Sequence, residues 1–325
     1  MRRGHFPALL VALAVLACAL LLAACGGDDD SGSGDSGGTT GELIERNPAN
    51  ADTEITVGSK NFTEQFILGE IYAQALQAAG YKVKKDLNLG SEQIALRALK
   101  GGDVDGYPEY TSTALTSFFK VQPQDIPKDA KQAVDESQAK FEQEGLVAYE
   151  PTPFTSANAV GILTDKAKEL GVQKVSDLEG KSQDLTLYGS PECRQRLDCL
   201  VGLQEDYGLR FKKFTPVDIG LRYDVLDKGQ ADLSIIFTTD AQLSTRDDVI
   251  TLEDDKKVFP PGNVTFVASK ETADAAGADL KGTVEKVQQG LTERVMQELN
   301  ARVDIDREEP RTVARAYLRE SGYIQ

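Results

Sequence analysis

Leu99-Lys100-Gly101-Gly102-Asp103-Val104-Asp105 and Leu226-Asp227-Lys228-Gly229-Gln230-Ala231-Asp232 are two versions of one phrase. In both, a glycine precedes an aspartate by three residues. An aromatic, Tyr110 or Phe237, follows that aspartate by five, and threonine comes next. Glycine at a helix end followed by a short β run is the joint of an α/β unit, so two copies predict two α/β lobes. Open α/β sheets bind ligands beyond the carboxyl ends of their strands. Lobes that face each other therefore set Tyr110 and Phe237 on opposite walls of one cleft. The competing reading, that such turns are common and both rings are core, stays open at this point.

The flanking sequence has the same alternation. Glu54-Ile55-Thr56-Val57-Gly58 reads as a β run ending in glycine. Asn61-Phe62-Thr63-Glu64 supplies capping residues for a helix whose Ile67, Ile71, Ala75 and Leu68, Tyr72, Leu76 recur four apart. Gly80 ends that helix, and Tyr81-Lys82-Val83-Lys84 opens the next strand. From about Lys281 to Tyr317 the chain reads as helices, with Val284, Val287, Leu291, Val295 and Leu299 as the apolar stripe.

Composition removes several chemistries. The chain has 325 residues, 40% hydrophobic and 27% charged, as soluble globular proteins do. Its single histidine is His5, so the folded body has no His-based nucleophilic triad and no His-ligated zinc. A net charge of −16 opposes nucleic-acid binding, which needs a basic face. No enzyme activity, cofactor or metal is expected.

The first residues read as an address. Met1-Arg2-Arg3 precedes an apolar run from Phe6 to Ala24, long enough for a signal peptide or a marginal membrane span. Leu22-Ala23-Ala24-Cys25 resembles the bacterial lipobox, which implies cleavage before Cys25 and a lipid on that cysteine. Arg2-Arg3 hints at twin-arginine export, but no Ser or Thr precedes the pair. Gly26 to Gly41 is Gly, Ser, Asp and Thr, a solvated tether with a reach of roughly 20–24 Å; its aspartates read as spacer, not as a calcium loop. Loss of residues 1–24 takes Arg2, Arg3 and His5, leaving 34 basic against 52 acidic residues. Attachment then depends on the lipid, since anionic lipid repels such a surface. Export also makes the remaining cysteines, Cys193 and Cys199, a disulfide on a loop.

Gly58-Ser59-Lys60-Asn61-Phe62-Thr63-Glu64-Gln65 and Gly106-Tyr107-Pro108-Glu109-Tyr110-Thr111-Ser112-Thr113 resemble the glycine betaine/choline/carnitine class of ABC-importer substrate-binding proteins. Gln230-Ala231-Asp232 through Thr239-Asp240, Leu252-Glu253-Asp254-Asp255-Lys256 and Phe259-Pro260-Pro261 extend the resemblance, which runs from about Ile55 to the C-terminus. It implies a two-lobed, type II periplasmic-binding-protein fold, α/β in class, hinged on two crossover strands near Tyr149–Leu163 and Pro261–Ser269. The expected layout is signal peptide 1–24, lipid-anchored tether 25–50, first lobe 51–155, second lobe 156–262, and a return to the first lobe over 263–325.

The resemblance also carries roles. Lys60, Thr113 and Arg196 match positions that hold a ligand carboxylate. Tyr110 matches a wall of an aromatic box around a quaternary ammonium, and Phe237 stands where tyrosine is usual. Such a box suits a cation that cannot donate hydrogen bonds, at about 0.5–2 kcal/mol per contact. Asn158 replaces an aromatic, and Gly262 stands where Phe-Pro-Pro-Tyr is usual, so two walls are expected to be missing, with Phe154 or Tyr188 near enough to fill one side. The Cys193/Cys199 loop is a further departure.

The implied function is that of a monomeric, lipid-anchored, extracytoplasmic receptor. It closes on a zwitterion or quaternary amine and passes it to a permease with its ATPase. Two alternatives stand beside it. One is a tethered receptor that signals without transport. The other is a serine enzyme built on Ser117-Phe118-Phe119-Lys120 and Ser156-Ala157-Asn158, whose third element is met only by the misordered Lys281-Gly282-Thr283.

Overall fold

In the computed structural model the described residues are 41–127 and 129–325, and all lie in one compact unit. The signal sequence, Cys25 and most of the tether fall outside them. The strands in chain order are β1 (Glu54–Gly58), β2 (Lys82–Asp86), β3 (Gly106–Tyr110), β4 (Leu146–Ala148), β5 (Thr155–Ser156), β6 (Asn158–Leu163), β7 (Thr186–Gly189), β8 (Lys213–Pro216), β9 (Leu233–Phe237), β10 (Val249–Thr251) and β11 (Gly262–Ser269). They form two sheets. The first runs β2-β1-β3-β11-β4, with β5 paired to β11; the second runs β10-β6-β9-β7-β8.

Each sheet anchors one lobe. The chain passes from the first to the second between β5 and β6, at Ala157, and returns through Phe259-Pro260-Pro261 into β11. The segment Tyr149–Leu163 thus straddles both sheets, whereas β11 belongs wholly to the first. Three C-terminal helices, Lys270–Gln289, Glu293–Asp304 and Pro310–Glu320, pack back on the first lobe. The apolar stripe of the C-terminal region is therefore divided between two helices, because Gly290 ends the first of them.

The repeated phrase has one structural cause in both lobes. Gly102 and Gly229 take left-handed backbone at φ 77° and 62°, which lets the chain leave a helix and enter a parallel strand. The aspartate three residues on then ties that strand to its neighbour. Asp105 accepts from the Thr56 backbone N–H at 2.7 Å, and Asp232 accepts from that of Thr186 at 2.8 Å. Thr56 lies in β1 and Thr186 opens β7, so the two ties are equivalent. β3 and β9 then deliver Tyr110 and Phe237 at their carboxyl ends.

Helix α1 (Thr63–Ala79) buries Ile67, Leu68, Ile71, Tyr72, Ala75 and Leu76 completely. Complete burial of five large side chains and Ala75 makes this helix the spine of the first core, worth about 1.5–3 kcal/mol for each large side chain. Its start differs from expectation. Phe62 is the N-cap residue and no side chain caps the helix; Thr63 instead donates to Asp304 at 2.6 Å. Tertiary contact thus replaces the local cap and leaves the Phe62 ring free to enter the cleft.

Residues 41–50 also depart from the tether expected there. Gly41 and Ile44 donate backbone hydrogen bonds to Ser321 and Tyr323 at 2.6 and 2.9 Å, and Asn50 donates to the Ala79 carbonyl at 3.0 Å. Ile44 is buried against the first core. One apolar side chain and three backbone partners are enough to dock a segment that the expected layout places in the tether.

Candidate functional site

Between the sheets lies a cleft of about 860 Å³, open solvent included, lined by both lobes. All six residues named from the sequence, Lys60, Tyr110, Thr113, Asn158, Arg196 and Phe237, line it. The two strand-end aromatics do not meet directly. Phe62 stands between them, its ring 6.2 Å from Tyr110 and 5.3 Å from Phe237, so three rings form a row from one lobe to the other. Phe62 lies inside the Gly58–Gln65 motif, but helix-capping logic assigned that stretch to local structure.

The cations of the site are already engaged. Lys60 pairs with the fully buried Glu109, which also accepts from the Tyr107 hydroxyl at 3.0 Å and the Tyr110 backbone N–H at 2.7 Å. Burial pulls the Lys60 ammonium below its ordinary value, and the Glu109 carboxylate opposes that pull. The ammonium also lies 4.5 Å from the Tyr110 ring centre. Arg196 donates through Nε and Nη2 to Asp198 at 2.8 and 2.5 Å, a bidentate fork. Its Nη1 lies 3.6 Å from Glu92, and its Nη2 reaches Thr113 across the cleft at 3.4 Å. Burial disfavours the guanidinium charge, but Asp198 and Glu92 outweigh it and hold Arg196 above its ordinary value.

Asn158 donates to the Asp198 carbonyl at 2.9 Å, so it steadies the loop that carries Arg196. A disulfide between Cys193 and Cys199, with Cα atoms 5.1 Å apart, closes that loop. At Gly262 a Cβ would lie 2.2 Å from Ser112 Oγ and 2.7 Å from the Ser112 backbone nitrogen. The glycine is therefore required by close packing, and Pro260 forms the adjoining wall. Neither Phe154 nor Tyr188 fills a side of the box. Phe154 is in the first core, and Tyr188 packs in the second lobe around Leu226 and Ile236.

The sequence reading missed Glu92, Asp198 and Arg222. Arg222 sits in no motif. It is 8% exposed, donates to Asp240 at 2.6 Å, and lays its guanidinium 4.0 Å from the Phe237 ring centre. Asp240, also bonded by the Tyr223 hydroxyl at 3.0 Å and the Phe237 N–H at 2.9 Å, is held above its ordinary value by burial, against the pull of Arg222. Only spatial assembly shows this group, since a lone arginine carries no pattern.

The serine-enzyme elements do not form a catalytic set. Ser117 Oγ is buried without a hydrogen-bond partner, and Lys120 is exposed. Phe118 and Phe119 pack edge-on against Phe141. Among the described residues no acidic, His or Cys cluster is arranged to hold a metal.

Known proteins match this architecture. A glycine-betaine-binding protein of Pseudomonas aeruginosa is 35% identical over 283 residues, covering 84% of this chain and 89% of that protein. An ergothioneine transport permease/ergothioneine binding protein of Helicobacter pylori is 29% identical over 282 residues, 86% of this chain and 50% of that longer protein. A crystal structure described as a glycine betaine/carnitine/choline ABC transporter superposes with a TM-score of 0.65 at 28% identity, covering 83% of this chain and all of that one. The fold is that of the type II periplasmic binding proteins. Residues 53–320 match the family described as the substrate binding domain of ABC-type glycine betaine transport systems, and the chain belongs to that family.

Proposed function

We propose that this protein is the extracytoplasmic receptor of an ABC importer, and that it captures a small zwitterion or quaternary amine of the glycine betaine, choline and carnitine class. The single observation that carries this reading is the cleft itself. Lys60, Tyr110 and Thr113 from one lobe face Asn158, Arg196 and Phe237 from the other. A ligand that touches both walls favours the closed arrangement by its differential affinity, and the closed form is what a permease with its ATPase recognises. The relatives named for glycine betaine and for ergothioneine both point to carboxylated trimethylammonium compounds. The receptor works as a monomer held at the outer face of the membrane by a lipid on Cys25. No described helix is long and apolar enough to cross a membrane.

Titration calorimetry over glycine betaine, choline, carnitine, proline and ergothioneine tests the reading. At least one compound binds, and Tyr110→Ala and Arg196→Ala each weaken it tenfold or more. Intact affinity in both variants moves the site elsewhere. No binding across the panel keeps the fold and discards the ligand class.

A further inference from the structure

Arg196 Nη1 and Glu92 Oε1 lie 3.6 Å apart in the wall of the cleft, too far for a hydrogen bond between them. Among the described residues neither atom has a hydrogen-bond partner, because Arg196 spends Nε and Nη2 on Asp198 and Thr113. Glu109 is spent as well, on Lys60, the Tyr107 hydroxyl and the Tyr110 N–H. Glu92 is different. It opens the helix Glu92–Gly101, whose first turn favours negative charge, and it is 6% exposed. With Glu109 set against Lys60 and Asp198 against Arg196, Glu92 adds a negative charge where a ligand carboxylate has to arrive.

We propose that Glu92 selects the ligand, by accepting a hydrogen bond from a hydroxyl that the ligand carries beside its carboxylate. This rests on the reading of the cleft as the binding site, with the carboxylate held by Lys60, Thr113 and Arg196, and it narrows the ligand within that class. The unspent Arg196 N–H and the unspent Glu92 oxygen are a donor and an acceptor side by side. The complementary ligand edge presents an acceptor and a donor side by side. A carboxylate with a hydroxyl on its β carbon does this: one carboxylate oxygen accepts from Arg196 Nη1 while the hydroxyl donates to Glu92. A carboxylate with no neighbouring donor sets its own charge against Glu92, and like charges in a partly buried site repel strongly. It also leaves the Glu92 oxygen unsatisfied, the situation in which a polar site rejects an analogue that lacks the hydroxyl. Glycine betaine has no donor. Carnitine is γ-butyrobetaine with a β-hydroxyl added, so that pair isolates the effect.

Calorimetry with carnitine, γ-butyrobetaine, glycine betaine and choline, on the wild type, Glu92→Gln and Glu92→Ala, tests the assignment, with thermal melts to check folding. The wild type is expected to bind carnitine about tenfold or more tightly than γ-butyrobetaine. In Glu92→Ala that preference falls to about threefold or less, and Glu92→Gln binds γ-butyrobetaine and glycine betaine more tightly than the wild type does, because the opposing charge is gone. Equal wild-type affinity for carnitine and γ-butyrobetaine overturns the proposal, and this comparison needs no variant to fold. A preference that survives in Glu92→Ala overturns it too. Equal losses for every ligand in both variants reduce Glu92 to a support for Arg196 and overturn it as well. Binding only by compounds other than carnitine rejects the Glu92 role and keeps the cleft as the site. No binding by these four, proline or ergothioneine discards the ligand class with it.

Discussion

Glu64 carries a carboxyl that burial holds above its ordinary value of 4.5. The Tyr110 hydroxyl donates to it at 2.6 Å, and Asn300 donates at 2.9 Å, which moderates the shift without reversing it. The sign follows from linkage. A carboxyl with a raised folded value takes up a proton on folding, so its contribution is most favourable below 4.5 and is lost as pH rises through the folded value. Glu64→Gln is therefore expected to stabilise the protein relative to wild type by more at pH 8 than at pH 5, read from thermal melts at both. A variant that melts lower at pH 8 by as much as at pH 5 refutes this. Residues such as Glu64 and Arg222 were not legible beforehand, because a charge becomes informative only when its burial and partners are known.

The loop from Cys193 to Cys199 shows what an element contributes. It carries Arg196 and Asp198 into the cleft on a segment whose only regular structure is the end of the 3₁₀ turn Pro191–Gln195. The disulfide restricts that loop in the unfolded chain, for about 2 kcal/mol by loop-closure entropy. Cys193→Ser with Cys199→Ser is expected to lower Tm by roughly 4–8 °C and to weaken ligand binding, because the Arg196 fork loses its support. Calorimetry with and without reductant gives both readings; a reductant-insensitive wild type rejects them. The paired aspartates belong to the same scale. Asp105→Ala and Asp232→Ala each remove an acceptor from a strand N–H, at about 1–3 kcal/mol. Chemical denaturation should find both destabilised, and a neutral result at either site makes that half of the repeat incidental. These joints were readable because a left-handed glycine followed by an aspartate is local chemistry that recurs wherever the turn recurs.

Across the whole molecule, single side chains bridge the two lobes at several points. Asn300, on a C-terminal helix of the first lobe, donates to the Thr239 carbonyl of the second at 3.0 Å while holding Glu64. Arg196 reaches Thr113, and Phe62 meets Phe237. Asn300→Ala is expected to shift the lobes toward an open arrangement by about tenfold, the worth of one buried hydrogen bond. Small-angle scattering without ligand should then give a larger radius of gyration than wild type, and saturating ligand should remove the difference. An unchanged radius shows that other contacts set the closure.

The sequence by itself determined the two α/β lobes, the strand ends that face the cleft, the core of α1 and the family. Each of these rests on local periodicity or on an ordered motif that the chain carries in one dimension. The tertiary structure decided the rest. It put Phe62 between the two expected aromatics, explained Gly262 by the approach of Ser112, and docked residues 41–50 on the body. It also matched Lys60 to Glu109 and Arg222 to Asp240, partners distant in the chain, and left Arg222 with donors to spare. The physical reason is the same in every case. Charge pairing, ring stacking and steric fit depend on distances between segments, and those distances exist only once both lobes are folded and facing each other.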